Sequence, residues 1–434
     1  MGANVRPRTG KWGPVVAVVA IALFASGCAF LRPIPGATGP ARVVVGPPGA
    51  AGARVVEVSV PGLAPGTPAE VKLRVDRLVG PVVAEGTGVP ASIVLPGAAL
   101  GPGEHKVFAT VRIGRRAAIG AASVSGSLRL NQAQALGSHN SYHVAPVTPP
   151  WSNVEPWQYT HSPLDVQFES EGVRQIELDV YVDPNGTRVL HITDVDFGTT
   201  CATLVACLQT VENWSAANAQ HLPIAILVEL KDDNIGLPTP VLPWDGPAMD
   251  ALDAEIRSVF APADLLTPDD VRRGRPTLAD AVTTLGWPTI DSVRGKVLFA
   301  MDNGGSYRDR YRSGHPVLEG RVLFTNSIPG APDGGFVKLN SAIGNQAAIR
   351  AAVTAGYLVR TRADGDTVEA RANDTTVRDA ALASGAQWVS TDFPVPGRAF
   401  GTPYFVSIPG GTPAGCNPLV APAWCTPALV ESLP

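Results

Sequence analysis

Six polar residues in the middle of the sequence are of the types that bind metal ions or transfer protons. They are His139, Asn140, Glu177, Asp179, His191 and Glu229. Carboxylate and amide oxygens are hard ligands that suit Ca²⁺ or Mg²⁺ better than Zn²⁺. Histidines beside such an ion suit phosphoryl-transfer chemistry. The residue types therefore predict a divalent-metal site formed by Asn140, Glu177, Asp179 and Glu229, with two histidines nearby.

The spacing of the carboxylates indicates that predicted strands position them. Glu177 and Asp179 lie two residues apart in a predicted strand over 173–181, so their side chains share one face. Glu229 ends the next predicted strand, and Lys231 follows two residues later on the same side. We expect Lys231 to contact a phosphate, with simple charge balance of the nearby carboxylates as the alternative.

Strands alternate with helices from residue 131 to residue 394. The predicted strands are 132–136, 173–181, 224–230, 296–301, 321–324, 335–339, 357–362 and 387–391. The predicted helices are 202–219, 248–260, 278–285, 346–355 and 376–384. Eight strands with crossover helices predict an α/β fold, a TIM-type (β/α)8 barrel, although no helix is evident before strands five and six. Such barrels carry their chemistry at the carboxyl ends of the strands, where the six polar residues fall.

A different pattern occupies residues 42–128. Short β-branched runs occur at 43–45, 55–60, 71–79, 91–95, 105–113 and 121–128. Turns rich in glycine and proline separate these runs. The pattern predicts a small all-β, immunoglobulin-like sandwich ahead of the barrel.

The N-terminus has the features of an export signal. Positive residues precede an apolar run over 15–24, which is shorter than the ~20 residues of a membrane-spanning helix. The run leads to Ala-Ser-Gly-Cys at 25–28, which resembles a bacterial lipobox. We expect residues 1–28 to be a lipoprotein signal, Cys28 to anchor an exported protein to the bacterial cell surface, and residues 29–41 to be a tether. An ordinary secretion signal is the alternative.

Four further cysteines, Cys201, Cys207, Cys416 and Cys425, would lie in an oxidising compartment after export. Local pairing, Cys201 with Cys207 and Cys416 with Cys425, is the simplest of three possible arrangements. A metal cluster is less favoured, because no histidine lies at ligand spacing beside either pair. The segment 395–434 is therefore predicted to be a C-terminal tail held by a disulfide.

The charge composition of the chain argues against a nucleic-acid partner. Only 17% of the residues are charged and the net charge is −4. A nucleic-acid-binding protein would need a basic surface against phosphates. We therefore expect no nucleic-acid partner, and we expect a monomer.

The order of the polar residues resembles the calcium-dependent phosphatidylinositol-specific phospholipases C, in their secreted bacterial branch. The resemblance covers 131–394 and includes two further segments, Tyr-Leu-Val-Arg-Thr-Arg-Ala-Asp at 357–364 and Gly-Ala-Gln-Trp-Val-Ser-Thr-Asp at 385–392. It implies an enzyme, a phosphodiesterase with Ca²⁺ as cofactor. Its substrate would be phosphatidylinositol, cleaved to diacylglycerol and a cyclic inositol phosphate.

The same resemblance suggests roles for individual residues. Glu177 or Glu229 would accept a proton from the inositol 2-hydroxyl as it attacks phosphorus. His139 would stabilise charge on the phosphoryl oxygens, and His191 would protonate the leaving diacylglycerol oxygen. Arg362 is a further candidate contact for phosphate or inositol.

Two other functions and one structural interpretation remain open from the sequence. Glycerophosphodiester phosphodiesterases share the barrel, the Glu-x-Asp pair and two histidines, but typically have arginine where this chain has Asn140. A catalytically inactive, surface-anchored binding lipoprotein is the second alternative. Structurally, Glu177 and Asp179 could instead form a solvent-exposed strand face.

Overall fold

The computed structural model describes residues 32–48, 53–101, 104–126, 128–147 and 154–431. The predicted export signal and Cys28 lie outside the described residues, so the anchor stays a prediction. Two separate units, Met1–Gly126 and Ser127–Pro434, make up the chain. Across the described ranges, no helix is both long enough and apolar enough to cross a bilayer.

The first unit consists of antiparallel strands in two sheets. The strands are β1 (Arg42–Pro48), β2 (Arg54–Ser59), β3 (Thr67–Val75), β4 (Ala84–Val89), β5 (Ala91–Leu95), β6 (Glu104–Ile113) and β7 (Arg116–Ser125). One sheet has the order β1-β2-β5 and the other β4-β3-β6-β7. Alternate residues, such as Val56, Val58, Val71 and Leu73, are fully buried and form the core. The predicted all-β class is therefore confirmed.

Strand β4 was not predicted from the sequence. Its sequence, Ala-Glu-Gly-Thr-Gly-Val, carries two glycines, which are unfavourable in strands. Gly86 has a packing reason, because a Cβ at this position would lie 2.7 Å from a side-chain carbon of Ile93. Pairing with β3 and this close approach therefore outweigh the weak local propensity.

The second unit contains eight parallel strands in an almost closed barrel. The strands of this sheet are β8 (Ala133–Ser138), β9 (Gln175–Tyr181), β10 (Arg188–Val189), β11 (Ile224–Leu230), β12 (Val297–Met301), β13 (Leu323–Phe324), β14 (Phe336–Ser341), β15 (Leu358–Arg362), β16 (Trp388–Thr391) and β17 (Ala414–Cys416). The spatial order is β13-β12-β11-β9-β8-β16-β15-β14, with β10 and β17 as antiparallel additions to β9 and β8. A parallel bridge between Asn326 and Phe336 links the two ends of this order. The predicted TIM-type barrel is confirmed.

Helices connect most of the barrel strands. They are α1 (Leu164–Glu169), α2 (Leu204–Ala217), α3 (Gly246–Val259), α4 (Pro268–Arg272), α5 (Leu278–Asp280), α6 (Ile290–Val293), α7 (Gly305–Tyr311), α8 (Gln346–Thr354), α9 (Val368–Ala372), α10 (Thr376–Ala383) and α11 (Pro427–Val430). Strand five is preceded by the short α7, which the sequence did not reveal. The fully described link between β13 and β14 contains no helix, as the sequence suggested.

The barrel core explains the apolar runs in the sequence. Every residue of β11 except Glu229 is buried, because helices cover the sheet on one side and barrel side chains fill the other. Both predicted disulfides are present, Cys201–Cys207 and Cys416–Cys425. Because Cys416 ends β17, the second disulfide joins Cys425 to the part of the tail that pairs with β8.

Candidate active site

The polar residues predicted from the sequence meet at the carboxyl end of the barrel. His139 and Asn140 directly follow β8, and Glu177 and Asp179 lie in β9. Glu229 of β11 is the direct register partner of Asp179, so these carboxylates lie side by side on neighbouring strands. This is the barrel end where such enzymes hold their reacting groups.

Three carboxylates form a tight cluster. Glu177, Asp179 and Glu229 can each offer one oxygen such that all three lie within 4.8 Å of one another. Glu177 and Asp179 are buried. The alternative that these two residues form a solvent-exposed face is therefore wrong.

Two cations neutralise this cluster. Lys231 Nζ lies 3.1 Å from an oxygen of Asp179 and 2.8 Å from an oxygen of Glu229. Arg360, which is fully buried, forms an ion pair with Glu177. The structure therefore places Lys231 among the carboxylates, in the arrangement expected for charge balance.

The electrostatics of the cluster favour additional positive charge. Burial raises the pKa of Glu177 to about 8, against the opposing effect of Arg360, and neighbouring carboxylates add to the shift. Burial likewise raises the pKa of Asp179 to about 7, although Lys231 opposes it. Burial also acts against the charge of Lys231, but Asp179 and Glu229 outweigh it and raise the pKa of Lys231 above its usual value.

Asn140 completes an oxygen-rich set of side chains. Its backbone is left-handed, with φ of 44°, a conformation that is uncommon outside glycine and occurs at functional sites. Its Nδ2 donates to the Tyr159 hydroxyl at 3.2 Å, whereas its buried Oδ1 has no hydrogen-bond partner among the described residues. A buried, unpartnered amide oxygen at the same end of the barrel as three clustered carboxylates gives oxygen donors of the types that fit Ca²⁺.

The turn that carries Asn140 is fixed to β9. Ser141 N donates to the carbonyl oxygen of Glu177 at 2.9 Å, and Glu177 N donates to Ser141 Oγ at 2.8 Å. These two bonds fix the turn that contains Asn140 to the strand that contains Glu177 and Asp179.

His139 is bound by a carboxylate on one side and an arginine on the other. Its Nδ1 lies 2.8 Å from Asp392 Oδ1, and its Nε2 lies 3.3 Å from Arg362 Nη1. Arginine only donates hydrogen bonds, so Nε2 accepts and Nδ1 carries the proton. Burial, together with Arg362, holds the pKa of His139 well below its usual value. His139 is therefore neutral, and its Nε2 can accept a proton.

His191 has the same type of carboxylate partner. Its Nδ1 lies 2.7 Å from Asp196 Oδ2, and Asp196 also binds the buried His143. The His191 ring packs edge-on against Trp157 and is close enough to His139 to affect that residue electrostatically. The structure thus brings the two predicted histidines to one cleft, with one nitrogen of each fixed by a carboxylate.

Three residues of the site had no role predicted from the sequence. Asp392 follows the last predicted strand directly, so the same strand-end rule that selected His139 could have found it. Arg360 lies inside a predicted strand, where an isolated arginine is a weak signal. Asp196 lies five residues after His191 in an irregular segment, and no periodicity marks it.

Comparison with known proteins places the chain among phospholipases. The family model described as phosphoinositide phospholipase C, Ca²⁺-dependent, matches residues 128–188 and 184–418. No curated protein matches the chain.

Solved structures with similarity to the chain include bacterial enzymes. A Ca²⁺-dependent phosphatidylinositol-specific phospholipase C from Streptomyces antibioticus is 19% identical, with a TM-score of 0.45, over 62% of this chain and 96% of that one. A calcium-dependent phosphoinositol-specific phospholipase C from Pseudomonas sp. is 18% identical, with a TM-score of 0.47, over 66% of this chain and 95% of that one.

Proposed function

Because the chain belongs to the calcium-dependent phosphoinositide phospholipase C family, we propose that the cleft between His139 and His191 is where the phosphodiester of phosphatidylinositol is cleaved. Members of this family are phosphodiesterases that act on this lipid. The observation that carries the assignment is that two carboxylate-bound histidines flank one acidic cluster at the carboxyl end of the barrel.

Asn140, Glu177, Asp179 and Glu229 are the residues that would hold the calcium ion. The unpartnered Oδ1 of Asn140 and the crowded carboxylates support this assignment. When bound, Ca²⁺ lowers the pKa of a substrate hydroxyl and stabilises negative charge on the phosphoryl oxygens. Lys231 would then be free to leave the carboxylates and contact the phosphate, as the sequence suggested.

His191 is suited to be the acid that protonates the leaving diacylglycerol oxygen. Asp196 fixes its Nδ1 proton, so the Nε2 nitrogen is the one left to face the substrate. Asp196 is buried and also stabilises the positive charge of the protonated ring. In a second step, the same nitrogen could take a proton from water and open the cyclic product.

His139 is suited to accept the proton of the attacking hydroxyl. Its Nε2 accepts from Arg362 in this structure, so it would take the proton once Arg362 turns toward the phosphoryl oxygens, and Asp392 would stabilise the imidazolium that forms. The carboxylates Glu177 and Glu229, which the sequence suggested as bases, would be ligands of the ion, and Glu177 is also paired with Arg360. Arg362, 3.3 Å from His139, would supply the charge stabilisation on the phosphoryl oxygens that the sequence assigned to His139.

The metal site is tested by replacing one carboxylate. Asp179→Asn should raise the Ca²⁺ concentration needed for half-maximal activity at least tenfold, because one ligand charge is lost in a buried site. The matched control is Asp233→Asn, an exposed carboxylate in the loop after β11. Full activity of Asp179→Asn in excess chelator would show that the reaction does not need the metal.

We further propose that the protein is an exported lipoprotein anchored through Cys28. The signal pattern at 1–28 supports this location, and the two disulfides suit an oxidising compartment. Expression with a labelled fatty acid should mark the wild-type protein and leave Cys28→Ala unmarked. Equal label in both, or label in neither, would contradict the anchor.

A further inference from the structure

The loop that carries the candidate acid contains neither a helix nor a strand. It covers residues 190–203, between β10 and α2, and the structure describes all of them. It holds both His191 and Asp196, whose carboxylate lies 2.7 Å from Nδ1 of His191. We call this segment the acid loop. Because it lacks regular structure, its conformation depends on the bonds that it makes to neighbouring elements.

One side of the acid loop lies against the residues that follow β8. The backbone N–H of Val144 donates to Gly198 O at 3.1 Å, and the N–H of Thr200 donates to Tyr142 O at 2.8 Å. The approach is close, because a Cβ at Gly198 would lie 2.3 Å from Val144 O. Gly198 comes two residues after Asp196, so these contacts adjoin the carboxylate that orients the acid.

The other side of the acid loop is tied to α2 by a covalent bond. Cys201 lies in the loop, and it is joined to Cys207 of α2 by a disulfide. Cys207 is fully buried, and α2 packs into the barrel core through buried residues that include Leu208 and Val211. The disulfide therefore connects an irregular loop to a helix that the core holds in place.

We propose that the Cys201–Cys207 disulfide positions the candidate acid, because it holds the acid loop where Asp196 orients His191. The inference rests on the proposed function. The two cysteines act through Asp196 and are positioning residues. Without the disulfide, hydrogen bonds alone would oppose the conformational freedom of the loop backbone. Asp196 would then hold the His191 ring less firmly, and a small misplacement of a reacting group costs much of its contribution to the rate.

The rest of the candidate site is held by other contacts. The turn that contains Asn140 is bonded to β9 through Ser141. His139 is held by Asp392, which directly follows β16. Loss of the disulfide should therefore weaken protonation of the leaving group more than attack on phosphorus or binding of Ca²⁺.

The test compares two substrates in variants that lack one disulfide each. The variant is Cys201→Ala with Cys207→Ala. The matched control is Cys416→Ala with Cys425→Ala, which removes the disulfide at the opposite end of the barrel, where Cys416 pairs with Ala133 at the start of β8. The substrates are phosphatidylinositol in detergent micelles and a water-soluble nitrophenyl inositol phosphate, whose leaving group needs little protonation.

The variant Cys201→Ala with Cys207→Ala should turn over phosphatidylinositol at least about tenfold more slowly than wild type, because a positioned acid contributes about 10²–10⁴-fold. Turnover of the nitrophenyl substrate, and the Ca²⁺ concentration for half-maximal activity, should stay within about threefold of wild type, as should all three properties of the control. Equal losses on both substrates would show a general loosening of the fold. That result, or unchanged turnover of the lipid, would overturn the proposal.

A second variant, Gly198→Ala, tests the placement of the acid loop while both cysteines remain, and it decides the question if the first variant does not fold. Its added methyl group would displace the loop from Val144 O. We expect the same selective loss on the lipid, and equal losses on both substrates, or none, would overturn the proposal. If wild type cleaves neither substrate, the proposed function itself fails. If wild type cleaves both, only the role of the disulfide is in question.

Discussion

Each candidate catalytic histidine has one ring nitrogen fixed by a buried carboxylate. His139 donates to Asp392 and His191 to Asp196, so the second nitrogen of each ring is the one available for substrate. Equal anchoring does not imply equal roles, because burial and Arg362 keep the His139 ring neutral, and its Nε2 is open to substrate only when Arg362 moves away from it. The two histidines should therefore act as base and acid, respectively.

Alanine substitutions should separate these roles. His139→Ala and His191→Ala should each reduce turnover of the lipid by about 10²–10⁴-fold, the usual range for a positioned acid or base. A nitrophenyl inositol phosphate needs little protonation of its leaving group. On this substrate His191→Ala should therefore lose less of its turnover than on the lipid, whereas His139→Ala should lose about as much on both. Equal losses of His191→Ala on both substrates would contradict its role as the acid.

Lys231 should compete with Ca²⁺ for Asp179 and Glu229. Its ammonium group already neutralises both carboxylates, so an entering ion must displace it. We expect Lys231→Met to bind Ca²⁺ about tenfold more tightly by calorimetry, equivalent to about 1.4 kcal/mol. Lys72→Met, in the first unit, is the control. Unchanged or weaker Ca²⁺ binding by Lys231→Met would show that the lysine does not occupy the ion's place.

Calcium binding should also depend on pH. Burial raises the pKa of Glu177 to about 8 and of Asp179 to about 7, so both carry protons for part of the time near neutrality. A bound ion requires the ionised forms, and binding therefore releases protons. The affinity should rise from about pH 6 to pH 8. Calorimetry in buffers of different ionisation enthalpy checks this, and a binding heat independent of the buffer would contradict it.

At the scale of secondary-structure elements, the geometry of the site depends on the hydrogen bonds that hold the turn after β8 against β9. Ser141 carries two hydrogen bonds to the backbone of Glu177, and its hydroxyl also accepts from Ser138. The turn contains the left-handed Asn140, whose conformation is unfavourable without outside support.

Replacing this serine should cost stability. Ser141→Ala leaves the buried N–H of Glu177 without its acceptor, a loss of about 1–3 kcal/mol in the free energy of unfolding. Ser258→Ala removes an exposed hydroxyl that donates to Glu255 O, and it should change the free energy of unfolding by less than about 0.5 kcal/mol. Denaturant unfolding of the three proteins measures the difference, and equal midpoints would show that the serine does not hold the turn.

At the scale of the whole molecule, the periodicity of the sequence was sufficient to predict the strands of the barrel, but it did not reveal every strand of the first unit. The buried run of β11 and the Glu-x-Asp pair of β9 are strong local signals, so the eight strands and their polar ends could be predicted. Strand β4 could not, because its two glycines suppress the signal and packing against Ile93 is a tertiary effect.

The candidate site shows the same limit. The site residues that could be predicted lie in or directly after predicted strands, where barrel enzymes carry their reacting groups. They are His139, Asn140, Glu177, Asp179 and Glu229. Their partners are visible only in three dimensions, since Asp392 is 253 residues from His139 and Arg360 is 183 residues from Glu177. No sequence motif therefore reveals that Arg360 neutralises Glu177 within the carboxylate cluster.

The most direct test of the account is metal-dependent cleavage of phosphatidylinositol by the full chain, with glycerophosphocholine as the competing substrate. Phosphorus NMR would follow the products with Ca²⁺ and with excess chelator. We predict a cyclic inositol phosphate from phosphatidylinositol with Ca²⁺, no product with chelator, and little or no cleavage of glycerophosphocholine. Rapid cleavage of glycerophosphocholine with intact phosphatidylinositol, or undiminished turnover in chelator, would contradict the account.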